Sequence, residues 1–183
     1  MGLIKIAHCQ GARGKQDRVR FIKGEDKSVQ NEVNNYFEGR SDDVYNKLQK
    51  ASELAMSMIS EDASLLLTQV RRALTAAADY FYPRNNVKVI CSDRSERVLR
   101  EEQYLNRLQE FLVTSVTRSA AKDLLRAELN YLVSFLRRLN EMASKGVHAS
   151  VTSAEAMQGL IGLYFFLFNI SQQLTAAAKK TKA

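Results

Sequence analysis

The sequence predicts an all-α protein, a bundle of about five helices with a small β-hairpin or a basic arm at its N-terminal side. Three observations carry that reading. Helix breakers are scarce, one proline and eight glycines in 183 residues, and Ala, Leu, Lys, Glu, Gln and Arg supply much of the rest. Leu125, Leu129, Leu132, Leu136 and Leu139 recur at alternating steps of four and three, the spacing of a core or coiled-coil seam. Thr152 stands three residues before Glu155, just ahead of a long apolar run, which is the spacing of a capping box.

Residues 1–29 differ in character from the rest of the chain. "LIKIAHC" and "RVRFIKG" are short β-favouring runs around the Gly-containing "QGARGKQD", the pattern of a small hairpin or a loose arm. Within 1–27 seven Lys/Arg face three acids, so this arm can bind phosphates. We place the arm at 1–41 and a helical domain at 42–183.

A first helix is expected over 42–59, after Ser41 as N-cap, with Val44, Leu48, Leu54, Ala55 and Met58 on its apolar side. A second begins near Glu61 and carries Leu66, Val70, Ala73, Leu74, Ala77 and Phe81. It must stop at Pro83, which lacks an amide hydrogen and restricts Tyr82 before it. Residues 84–98 read as a polar connection, with "VKVI" (87–90) as a short strand. A third helix comes next over 99–115 with Tyr104, Leu108, Phe111 and Leu112 inward. The fourth, over 119–144, carries the leucine seam and stops at Gly146. The fifth covers 153–176 and is apolar on nearly every side.

Charge and cysteine use narrow the function. A net charge of +7 points to an anionic partner, nucleic acid first, or to a merely solubilising surface. Cys9 and Cys91 form no pairing or zinc-box pattern and read as reduced thiols in a cytoplasm, with no signal-peptide layout ahead of them. The stretch "GLIGLYFFLFNI" (159–170) is shorter than the ~20 residues a bilayer needs, and so reads as a buried or interface helix. Its glycines, Gly159 and Gly162, permit close backbone approach, which points to a homodimer through the last helix. Walker, dinucleotide, HExxH and nucleophile-elbow motifs do not occur.

The junction between the last two helices holds the candidate site. On a helical wheel Asn140 falls about 60° and Arg137 about 120° from the centre of the leucine seam, with Arg138 nearly opposite. His148 lies between the expected helix stop and the Thr152 cap, with Lys145 three residues before it. A histidine can exchange a proton near pH 7, and Lys, Asn and the free amides at a helix start can hold a phosphate. His148, Asn140 and Lys145 are thus the candidate catalytic set, and Arg137, Arg138 and Lys145 the RNA-binding set. No metal or other cofactor is called for. The bland reading has His148 bonding a loop carbonyl and Asn140 tying the helix end.

"RRALTAAADYFYPR" (71–84), "EQYLNRLQEFL" (102–112) and "LNEMASKGVHASVTSAEA" (139–156) resemble, in that order, bacterial all-helical domains related to the HEPN superfamily. The resemblance covers roughly 61–175. It implies a dimeric helical bundle, found in toxin–antitoxin, abortive-infection and CRISPR-linked defence, that is either a metal-independent endoribonuclease or a non-catalytic RNA-binding, dimerisation or assembly module. It also implies an antitoxin or another defence protein as partner. Active members carry an arginine shortly before the histidine. Here His148 matches by position, whereas Arg138 stands nine intervening residues before it and Lys145 is the nearby cation.

Overall fold

In a computed structural model of the chain, the described residues are 27–57, 62–92, 94–116, 119–144 and 151–181. Six helices and one two-stranded hairpin make them up. The helices are α1 (Lys27–Phe37), α2 (Asp42–Ser57), α3 (Asp62–Phe81), α4 (Tyr104–Ser115), α5 (Ser119–Ser144) and α6 (Ser153–Thr181). Strands β1 (Lys88–Ile90) and β2 (Glu96–Val98) and a single 3-10 turn at Glu101–Gln103 lie between α3 and α4. The fold is all-α, as the breaker count and the leucine seam predict.

The first difference from the sequence reading lies at its N-terminal side. Residues 27–37, which that reading assigns to the arm, form α1 and belong to the core. Val33 and Phe37, one turn apart, are fully buried. Phe37 packs edge-to-face against Tyr80 (5.6 Å) and Phe81 (5.9 Å) at the end of α3. An 11-residue helix rich in Asn has little stability of its own. Burying these two side chains stabilises it by roughly 1.5–3 kcal/mol each, so docking is what makes it a helix. The division at 41/42 therefore falls inside the bundle. The N-terminal hairpin itself lies outside the described residues.

The link from α1 to α2 is short and sharply turned. Gly39 takes φ 69°, where a side chain is strained although the space around it is open. Ser41 then caps α2: its hydroxyl accepts from the Val44 amide (3.4 Å), and Asp42 and Asp43 favour the positive end of the helix. Helix α3 ends where Pro83 requires. Beyond it, β1 and β2 pair antiparallel with Lys88 opposite Val98 and Ile90 opposite Glu96. The expected strand near 87–90 is thus one arm of a hairpin whose other arm, Glu96–Val98, the sequence reading assigns to a polar connection. Cys91 is buried at the end of β1; Cys9 lies outside the described residues.

Helix α6 is the centre of the bundle. Helices α1, α3 and α5 all pack against it, α2 pairs with α3, and α4 bridges α3 and α5. Leu163, Phe166, Leu167 and Ile170 on α6 are completely buried, with Leu125 and Leu129 of the leucine seam in the same core cluster. By length and composition alone, Ser153–Lys179 could cross a membrane. Three helices of its own chain pack against it and bury 39% of its most apolar window.

Candidate functional site

The predicted junction is only partly in view. The backbones of Arg138 and Asn140 lie in the last turns of α5, but their side chains, and Lys145 and His148 entirely, lie outside the described residues. Arg137 is exposed on α5, as its wheel position requires. No contact among these five side chains is therefore on view, and the candidate catalytic and RNA-binding sets stay expectations of the sequence.

The other half of the junction, the start of α6, is well defined. The Thr152 amide and hydroxyl both donate to Glu155 Oε2, each at 2.8 Å, and the Glu155 amide donates back to Thr152 Oγ1 at 3.3 Å. This is the capping box that the sequence predicts. It has a chemical consequence for the site. The Thr152 backbone amide, followed by its hydroxyl, holds the Glu155 carboxyl below its ordinary range. A carboxylate thus already occupies the positive end of α6. A phosphate seeking that helix start would meet a negative charge there.

Two polar clusters lie apart from the residues that the sequence singles out. The first surrounds Arg107, the largest fully buried side chain of the core. Its guanidinium donates to Asp79 Oδ1 (2.6 Å), to the Tyr82 carbonyl (3.1 Å) and to the Glu101 carbonyl (3.3 Å), while Nε has no partner. It ties both sides of the hairpin excursion to α4. One turn on, Glu110 accepts from the Ser92 amide (2.8 Å) and hydroxyl (3.0 Å), fixing the hairpin itself. The sequence does hold a signal: Arg107 sits on the same stripe as Tyr104, Leu108 and Phe111, where an arginine must find acceptors.

The second cluster lies between α1, α2 and α6. Ser52 Oγ and Tyr164 Oη are 2.9 Å apart, and Gln30 Nε2 donates to Ser52 Oγ at 2.7 Å and to Tyr164 Oη at 3.4 Å. The Ser52 hydroxyl also donates to the Leu48 carbonyl at 3.0 Å. That leaves Tyr164 to donate to Ser52, since a serine hydroxyl has one proton. Burial pushes the Tyr164 hydroxyl up, against hydrogen bonds with Ser52, Gln30 and Asn34 that lower it. These groups form the floor of a cavity of about 450 Å³.

Among the described residues, no three His, Cys, Asp or Glu side chains gather so as to hold a metal ion. The positive charge is unevenly placed. Residues 1–26 hold six Lys/Arg and three acids, and 179–183 hold three Lys and no acid. The 152 residues between them carry eighteen cations against seventeen acids. Several of those cations are paired within the bundle, Arg84 with Glu101 and Lys88 with Glu96 among them. The helical body is thus close to neutral.

Comparison with protein-family models, with curated proteins and with solved structures finds no match.

Proposed function

We propose that this chain is a non-catalytic helical binding module whose basic flanking segments engage an anionic partner, with RNA as the candidate. In the setting that the HEPN-like resemblance implies, it would serve bacterial defence or a toxin–antitoxin pair, and an antitoxin or defence protein is a further candidate partner. The observation that supports this reading over a metal-independent endoribonuclease is the closed start of α6. The nuclease reading uses that helix start for the scissile phosphate, and Glu155 sets a carboxylate beside it. The charge distribution agrees, since the cations in excess of acids lie in residues 1–26 and 179–183, at the two ends of the sequence given.

The test is incubation of the protein with labelled RNA in chelator, beside the His148→Ala variant. We expect binding that falls steeply with salt, intact RNA, and the same affinity in both proteins. Replacing Lys179, Lys180 and Lys182 by Gln should lower the slope of log K against log salt by about 2, at roughly 0.7 per phosphate contact on a single strand. Cleavage that persists in chelator and disappears in His148→Ala would overturn the reading and restore His148 as the general acid or base. Self-association is decided separately. Helices α1, α3 and α5 pack against α6, and among its described residues Ile161 and Phe165 stay accessible in open grooves. Light scattering at micromolar concentration tests the homodimer: a dimer mass supports α6 as an interface, and a monomer mass rules it out.

A further inference from the structure

The cavity between α1, α2 and α6 has a composition unlike the rest of this protein. Roughly a quarter of the chain is charged, yet among the described residues no Asp, Glu, Lys, Arg or His lines it. Its floor is the neutral hydrogen-bonded set Gln30, Ser52 and Tyr164, with Asn34 beside it. Its walls are soft and apolar: Met56, Met157, Ile161 and Phe165. Met56 is 73% exposed and Phe165 42%, so the walls stand open to solvent at the mouth rather than closing on one another.

The volume, about 450 Å³, lies within the range of small-molecule sites, which are typically ~300–1,000 Å³, mainly apolar, with a few placed polar groups. One of those polar groups is unsatisfied. Asn34 Oδ1 is buried and has no hydrogen-bond partner, a state that costs about 1–3 kcal/mol. Asn34 lines the cavity, and a ligand donor is the partner that its oxygen lacks.

We propose that this cavity is a binding site for an uncharged aromatic small molecule of one to three fused rings that carries an N–H or O–H donor. Each part of that class comes from the lining. A carboxylate, phosphate or ammonium would be desolvated with no opposite charge to meet it, which excludes nucleotides and fatty acids. The Tyr164 hydroxyl, its pKa raised by burial, stays neutral at physiological pH and adds no charge of its own. Flat rings suit walls made of one phenyl ring and two thioethers, because methionine adapts its shape and sulfur contacts aromatic edges favourably. The donor is for Asn34 Oδ1, since the protons of Gln30 Nε2, Ser52 Oγ and Tyr164 Oη are already given to partners within the protein. This site is independent of RNA binding, and either can fail without the other.

Indole is the probe, read through the methyl signals of the full chain labelled at methionine. Met56 and Met157 line the cavity and report on it directly. Indole should shift the Met56 and Met157 signals saturably, in about the millimolar range or below for so small a ligand. Benzofuran has the same shape but no N–H, and should bind at least about fivefold more weakly. Benzoate should leave both signals unmoved. Asn34→Leu should weaken indole about tenfold and Met56→Trp, at an exposed position that leaves the core intact, should block it. The proposal is overturned if indole gives no saturable shift, as it would were the cavity already filled by another part of the chain. It is equally overturned if benzofuran or benzoate matches indole, or if Met56→Trp changes nothing.

Discussion

Between α1, α2 and α6 the polar groups inside the bundle are neutral: Gln30, Ser52 and Tyr164. Between α3, α4 and the hairpin they are ionic: Arg107 with Asp79, and Glu110 with the Ser92 amide and hydroxyl. Both sides face the same physical problem, since a polar atom removed from water must recover its hydrogen bonds. The ionic side recovers them with backbone carbonyls on either flank of the hairpin, so it fixes the path of the chain. The neutral side uses short side chains that bond one another, so it fixes much less and leaves a cavity above it. The buried guanidinium engages three fixed acceptors at once, whereas hydroxyls and amides can exchange one partner for another. That difference makes one region a fastening and the other a candidate site.

The largest expected effect tests the fastening. Arg107→Ala leaves Asp79 and two carbonyls without their donor, and urea denaturation should show a loss of about 3–5 kcal/mol. Arg107→Lys should recover little of it, because a point charge cannot reach three acceptors in a fork geometry. A loss below about 1 kcal/mol for Arg107→Ala would break the comparison. Thr152→Ala should cost about 1 kcal/mol, the usual worth of an N-cap. It should also free the start of α6 from Glu155, so any gain in RNA affinity would show how far the carboxylate had been excluding phosphate. Tyr164→Phe keeps the ring and removes one hydroxyl from the neutral floor. The expected loss is about 1 kcal/mol, with the thermal transition still cooperative.

The smallest effect concerns Glu128 on α5, which accepts from Asn169 at 2.7 Å while its second oxygen is buried without a partner. Burial raises its pKa from 4.5, and the Asn169 bond lowers it less. The folded state therefore holds this proton to higher pH than the unfolded chain. Its contribution to stability is present in acid and is lost as pH rises through the folded value. Glu128→Gln should remove that slope. The variant should be the more stable near pH 8, by a few tenths of a kcal/mol after solvent screening, and the gap should close as the pH falls to 4.5.

The regular helices are legible in the sequence because their signals are local. Helix α5 begins and ends where the reading puts it, at 119 and 144, and the cap of α6 has the geometry that Thr152 and Glu155 predict. Helix α1 is hard to read because its apolar residues, Val29, Val33, Tyr36 and Phe37, are few and set among asparagines, and its stability comes from α3 and α6. Strand β2 is hard to read because three residues, Glu-Arg-Val, carry no pattern until β1 pairs with them. The cavity is hidden for a related reason. Its floor joins residues 30, 52 and 164, and no spacing rule connects positions more than a hundred residues apart. Arg107 is the readable exception, a charge standing on the inward stripe of α4.

Helix α6 at the centre of the bundle has a consequence for how the protein is made. Of the described helices it is synthesised last, yet α1, α3 and α5 all rest on it. Tyr164 comes 134 residues after Gln30, its neighbour in space. At ~5–20 residues per second, the ribosome needs on the order of ten seconds to supply that partner. Throughout that interval the faces of α1, α3 and α5 that pack on α6 lack their partner. The bundle therefore closes only once α6 is complete.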